Sequence, residues 1–224
     1  MKGKFIVIEG TDGSGKATHL QLAVDKLRAE GKDVEVLDFP QYGTKSAGPV
    51  EEYLNGKYGG VNEVSPYAAS LLYAVDRFDA SFRMRQALNA GKVVISNRYV
   101  LSNAAHQGTK IKNPAERKKF LEWLDDIEYG AMKIPRPDII IFLHVPAEIG
   151  YELVLKKTAR AHLNGKKQDI HEADLAYLKS VETTYQELAA SDPKINTIEC
   201  APRGTLLSIE EINPLVMNII NATL

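Results

Sequence analysis

The sequence predicts an α/β fold, five parallel strands in one sheet flanked by helices, and three observations point there. Five short runs rich in Val and Ile show continuous rather than alternating apolar character, the pattern of strands buried on both faces. Segments with helical periodicity separate these runs, and strand–helix alternation builds a doubly wound parallel sheet. At 224 residues and 44% hydrophobic composition, the chain can bury one sizeable core, so residues 1–224 are read as a single domain.

The strands are expected at Phe5 to Glu9, Val34 to Phe39, Val93 to Asn97, Ile139 to His144 and Ile195 to Cys200. A helix from Lys16 to Glu30 ends at Gly31, and Ser65-Pro66 opens a long amphipathic helix that stops at Gly91, so cap and terminator residues agree with the periodicity. Further helices are expected at Pro114 to Met132, Ala147 to Arg160, Glu172 to Ala190 and Ser208 to Asn221. One stretch breaks the rhythm: "KKTARAHLNGKKQD", Lys156 to Asp169, is basic and contains Asn164-Gly165. It reads either as a solvated loop with helix-end lysines or as a short mobile lid, about 156–172, that closes over phosphates.

Composition narrows the partners. With 28 basic and 29 acidic residues the net charge is −1, so no large basic field favours nucleic acid or a polyanionic membrane. The single Cys200 excludes an intramolecular disulfide framework and a Cys-rich zinc site, which fits a reducing compartment. His19, His106, His144, His162 and His171 show no metal-ligand spacing. The apolar run in "KFIVIEG" is cut off by Glu9 before it reaches the length of a signal-peptide core, and no stretch approaches the ~20 apolar residues of a membrane span. A soluble, cytoplasmic protein with no nucleic-acid or membrane partner is therefore expected.

Chemistry enters at "EGTDGSGKATHL", Glu9 to Leu20. Gly10, Thr11, Asp12, Gly13, Ser14, Gly15 and Lys16 form a G-x-x-x-x-G-K phosphate loop between an expected strand and an expected helix. There, backbone N–H groups face an anion and the lysine bridges the β- and γ-phosphates of ATP. The whole is then a P-loop NTPase-type three-layer fold. Two positions depart from the usual pattern. Ala17 replaces the Ser or Thr that holds Mg²⁺, the hydroxyl arriving one residue late at Thr18, and Asn97 of "VVISNRY" replaces the acid expected at the end of a neighbouring strand.

The segments "EGTDGSGK", "FPQYG", "LLYAVDR" and "NRYVLSNAAHQG", in this order and spacing, resemble those of the thymidylate kinases, over Lys4 to at least Tyr185. The resemblance implies a nucleoside monophosphate kinase that phosphorylates dTMP with ATP and Mg²⁺, generally as a homodimer. It implies that Asp12 lies between the sugar 3′-hydroxyl and the transferred phosphoryl group and is the metal residue; a helix-start carboxylate favoured by the macrodipole is the alternative. Phe39 and Pro40 match the turn after the second strand, and Tyr42 stands where many relatives carry a phosphate-binding arginine, unless it is a packing residue.

By the same resemblance Tyr73 stacks on thymine and Arg77, four residues on and so on the same helix face, donates to its O4 edge; a surface aromatic–arginine contact is the alternative. Arg98 matches the arginine on the phosphate under attack, and a guanidinium suits that task because it spreads donors over several oxygens and keeps its charge. Asn103 matches a base-edge contact, needing both donor and acceptor. His106 falls where some relatives place a tyrosine against the sugar 2′ position, a packing histidine being nearly as good a reading, and Gln107 is equally open. Arg160 and Glu172 fall in register with lid residues, Arg160 as the cation of the transition state with Lys156, Lys157 and Lys166 in reserve. A kinase for another nucleoside monophosphate and a catalytically inactive nucleotide-binding regulator are the rivals; a GTPase-like switch lacks its N-K-x-D signature.

Overall fold

The computed structural model describes residues 2–156 and 174–224. Its sheet contains β1 (Lys4–Gly10), β2 (Val34–Asp38), β3 (Val93–Asn97), β4 (Ile139–His144) and β5 (Ile195–Glu199), in the spatial order β2-β3-β1-β4-β5. Every pairing is parallel, with Ile8 opposite Asn97 on one side and Ile141 on the other. These are the five apolar runs, shifted by at most a residue at their ends.

Side chains of a strand alternate between faces, and here they feed two cores. Ile6 and Ile8 point to one side, where α1 (Lys16–Ala29) and α8 (Ile209–Thr223) contribute Leu20, Val24, Val216 and Ile220. Phe5 and Val7 point to the other. There α3 (Pro66–Asn89), α4 (Val100–Gly108), α5 (Pro114–Asp125) and α7 (Leu175–Ser191) supply Met84, Ala105, Phe120, Val181 and Tyr185.

Helix starts follow local chemistry. The Ser65 side chain accepts from Ala68 N ahead of Pro66, Asn113 accepts from Ala115 N and Glu116 N ahead of Pro114, and Ser208 with Glu211 forms a capping box. Two helices were not expected, α2 (Gly48–Leu54) and α4, and the helix begun at Pro114 passes into a π-helical turn over Asp126–Ala131. After β4, α6 (Ala147–Leu155) ends just before the undescribed stretch.

The loop after β1 leads into α1 on one face, and the loop after its neighbour β3 leads into α4 on the other. Adjacent strands whose connections diverge leave a crevice at their C-terminal ends, the place where open α/β sheets bind ligands.

Candidate active site

That crevice opens into a cavity of about 350 Å³. At one end α1 begins on Gly15, whose φ of 82° is left-handed, with no side-chain cap and no acid in its first turn, so its positive dipole end meets the cavity where an anion is favoured. Gly13, at φ 83°, lies so close to α6 that a Cβ on it would sit 2.3 Å from the Gly150 carbonyl oxygen. Lys16 Nζ donates to Thr11 O at 2.8 Å, which folds the lysine back over the loop, and Ala17 and Thr18 line the cavity beside it. Gly10, Thr11 and Ser14 complete the loop behind them, Thr11 and Ser14 being buried.

Arg98 stands at the centre. Its φ of 63° is unusual for a residue with a Cβ. Its N–H donates to Ile8 O at 2.9 Å, and its guanidinium donates to the Asp12 carboxylate, to Ser102 Oγ at 3.0 Å and to Gly10 O at 3.3 Å. Burial opposes its charge, but Asp12 foremost outweighs that and raises the Arg98 pKa. Behind it lies Glu9, fully buried. Its Oε1 accepts from Tyr99 N at 2.7 Å and Ser102 N at 3.1 Å, and its Oε2 from Ser102 Oγ at 2.6 Å and Tyr185 Oη at 3.1 Å. A carboxylate from β1 thus caps α4, whose own Tyr99 cap position offers no side-chain cap.

The far end is lined by Tyr73, Arg77, Asn103, His106 and Gln107. Tyr73 meets Tyr53 edge to face at 6.3 Å. Arg77 is buried, not on the surface: Nε and Nη2 donate to the equally buried Glu128 in the π-helical turn. This overturns the surface aromatic–arginine reading. Asn103 donates through Nδ2 to Ser70 O at 3.2 Å, while its Oδ1 and both amide atoms of Gln107 have no partner among the described residues. Buried amides are normally satisfied, which sets these cavity-wall atoms apart from most buried polar groups. The His106 ring is pushed down to about 3, first by burial and then by Arg98, so it is neutral near pH 7; Tyr177 Oη donates to its backbone carbonyl at 2.8 Å.

Phe39, Pro40 and Tyr42 close the wall after β2, the first two buried and Tyr42 39% exposed. Asp76, next to Arg77, fixes this turn by accepting from Gln41 N at 2.9 Å and Ser46 Oγ at 2.8 Å. Asp38 also lines the cavity, beside Asn97. Of the expected lid, Lys156 ends α6, whereas Lys157, Arg160, Lys166, Asp169 and Glu172 lie outside the described residues. Sequence reasoning passed over Glu9, Asp38, Ser102, Glu128 and Tyr185; a lone acid interrupting the apolar "FIVIEG" was the one local sign, and it pointed to Glu9.

A parallel sheet with a phosphate loop at its switch point and an arginine facing that loop across the crevice defines a nucleotide-binding P-loop protein. A family model described as thymidylate kinase matches residues 8–210. A thymidylate kinase of Mycobacterium tuberculosis is 35% identical over 188 residues, covering 83% of this chain and 86% of the relative. A probable thymidylate kinase of Thermococcus onnurineus is 32% identical over 217 residues, covering 93% of each. The chain belongs to the thymidylate kinase family. A solved thymidylate kinase structure from Candida albicans shares the fold, with a TM-score of 0.76 at 24% identity, covering 99% of this chain and 92% of that one.

Proposed function

We propose that this chain transfers the γ-phosphoryl group of ATP to dTMP, giving dTDP and ADP, in dTTP synthesis. One observation carries the reading: a single cavity joins the phosphate loop, through Arg98, to an end lined by Arg77, Asn103 and Gln107, where Asn103 Oδ1 and the Gln107 amide have no partner among the described residues. A protein that only senses ATP has no use for that second end.

The dTMP phosphate oxygen bonds to the γ-phosphorus while the bond from that phosphorus to the β-bridging oxygen breaks, leaving its electron pair on ADP. The attacking oxygen is already anionic, so no strong base is required, and catalysis rests on alignment and charge stabilisation. The loop N–H groups and Lys16 hold the ATP phosphates, with Thr18 beside them. Arg98 holds the dTMP phosphate, assisted by Tyr42, and follows the charge as it moves. Tyr73 stacks on thymine, Arg77 donates to O4, Asn103 and Gln107 meet the base edge, and His106 and Asp12 face the sugar between the walls set by Phe39 and Pro40.

Arg160 as the lid cation and Glu172 as a substrate-binding residue complete the proposal, both lying outside the described residues. Among the described residues no three His, Cys, Asp or Glu side chains converge as a metal cage. Mg²⁺ binds through one or two carboxylates plus substrate phosphates, and Asp12 is a hard oxygen donor lining the cavity with the phosphate loop. When bound with ATP, the ion neutralises phosphate charge.

An ADP-release assay across dTMP, dUMP, AMP, CMP and UMP at varied Mg²⁺ tests the assignment. Turnover with dTMP is expected to lead, dUMP to follow because a methyl in an apolar pocket is worth only about 1–3 kcal/mol, and preference for any other monophosphate refutes it.

We further propose a cytoplasmic homodimer. What supports the dimer is a stripe on α3: Leu71, Val75, Phe78 and Phe82, at helical spacing, are 40%, 48%, 39% and 60% exposed. A contiguous apolar stripe on a surface helix marks an interaction site. Among the described residues, no helix is long and apolar enough to cross a membrane.

A further inference from the structure

The acid expected at the end of β3 is Asn97, yet a carboxylate stands beside it. Strands β2 and β3 pair in parallel, and their register sets Asp38 directly opposite Asn97 at the cavity end of both. Asn97 Nδ2 donates to Asp38 Oδ1 at 2.8 Å, and Phe39 N donates to Asn97 O at 3.0 Å, so the two side chains are tied to one another and to the strand ends. Asn97 Oδ1 is shielded from solvent and has no hydrogen-bond partner among the described residues. Asp12, the other carboxylate of this wall, is engaged by Arg98. Asp38 therefore faces the phosphate end of the cavity with a neutral amide as its hydrogen-bonding neighbour, near enough to Lys16 and Arg98 for both to act on its charge.

A carboxylate beside bound triphosphate is repulsive, and a divalent cation between them reverses the sign of that interaction. We propose that Asp38, oriented by Asn97, supplies a carboxylate, in addition to Asp12, for the Mg²⁺ that accompanies ATP, so that the acid missing from β3 has moved one strand sideways rather than been lost. This rests on the phosphoryl-transfer reading above. Carboxylate and amide oxygens are both hard acceptors suited to Mg²⁺ or its waters, and the pair offers one of each. The adjacent Asn97 thereby keeps a use: its amide N–H aims the displaced carboxylate.

The test measures Mn²⁺ retention by electron paramagnetic resonance with a non-hydrolysable imido analogue of ATP, and separately the Mg²⁺ concentration that half-saturates the dTMP reaction. The wild type, Asp38→Asn and the exchange variant Asp38→Asn/Asn97→Asp are compared, each checked by thermal melting. Asp38→Asn is expected to weaken Mn²⁺ retention and raise the Mg²⁺ requirement by about tenfold or more, the scale of losing one ligand or its support. The exchange variant returns the carboxylate to β3 with the Asn–Asp hydrogen bond kept, and is expected to recover both to within about threefold of wild type.

Unchanged Mn²⁺ retention in folded Asp38→Asn overturns the proposal, as does a loss that the folded exchange variant fails to repair. Should Asp38→Asn not fold, Asp38→Ser carries the same expectation. Failure of wild type to phosphorylate dTMP refutes the reading of the reaction while leaving the Mn²⁺ measurement with the ATP analogue intact.

Discussion

Substituting Glu128 by Gln removes one charge from a pair closed to water: Glu128 is 0% and Arg77 2% exposed, and Nε and Nη2 of the arginine both donate to the carboxylate. Deleting one partner of a buried ion pair costs about 3–5 kcal/mol because the other charge is left uncompensated. Gln keeps one acceptor oxygen for the guanidinium, so the loss should fall near the low end, about 3 kcal/mol. For a chain of this size, each kcal/mol moves the melting temperature by roughly 2–4 °C, which predicts a drop of about 6–12 °C by calorimetry.

Kinetics should separate the two ends of the cavity, because on the proposed reading Arg77 faces the base and not the transferred phosphate. The KM for dTMP should rise severalfold while the KM for ATP stays put. A double variant, Arg77→Met/Glu128→Leu, replaces the pair by apolar volume and should recover most of the melting temperature without recovering dTMP affinity. A shift in melting temperature under about 2 °C in Glu128→Gln, equivalent to less than about 1 kcal/mol, would refute the claim that Arg77 depends on this carboxylate.

Glu9→Gln puts an amide NH₂ among the four donors that converge on the Glu9 carboxylate. It should destabilise the fold by about 1–3 kcal/mol in urea titration and lower kcat more than it raises KM for either substrate, since Arg98 is aimed through Ser102. Gly13→Ala forces a side chain against the Gly150 carbonyl at left-handed φ, and isothermal calorimetry should find ATP binding lost while the cooperative melt persists. His144 lies between Glu182 and Glu199, at 2.8 Å and 2.5 Å, and hydrogen bonding to Glu182 first, opposed by burial, raises its pKa.

A raised folded pKa makes the His144 contribution complete below the unfolded value of about 6.5 and lost as pH climbs through the folded value. Urea midpoints should fall across that window, and His144→Gln should flatten the fall. Ala17→Ser should leave the Mg²⁺ requirement within a few-fold whereas Asp12→Ala abolishes most turnover; rescue of an otherwise inactive wild type by the serine would show the loop itself to be deficient.

What was legible in the sequence is what short segments specify by themselves. The five strands announced themselves as runs rich in Val and Ile, β1, β3 and β4 being buried along most of their length and the edge strands β2 and β5 only in part, and α3 and α8 because Ser65-Pro66 and the Ser208–Glu211 capping box write the start of each helix locally. The start of α4 was illegible for the opposite reason: its cap is Glu9, 90 residues away from Tyr99. Glu128 escaped notice because its partner Arg77 is 51 residues distant, and it looks like any other acid of an amphipathic helix until the π-helical turn puts it inside. The displaced carboxylate at Asp38 needed the β2–β3 register, a fact held by neither strand alone.

Arg98 brings both kinds of information together. Its place after β3 was readable from "NRY", but its direction is not set by its own segment. A residue other than glycine held near φ 63° costs on the order of 1–3 kcal/mol, and a free loop would relax it and swing the guanidinium out of the crevice. The strain is offset on β1: Ile8 O accepts the Arg98 N–H, Gly10 O accepts from the guanidinium, and Glu9 holds Tyr99 and Ser102, whose hydroxyl in turn accepts from Nη1. Three consecutive residues of β1 thus hold the arginine that faces the phosphate loop, and that loop begins at the last of them. The phosphate loop and the arginine opposite it therefore share one rigid origin, so on the proposed reading a change that tilts β1 should disturb both substrates together, whereas a change confined to Tyr73 or Arg77 of α3 should disturb the base alone.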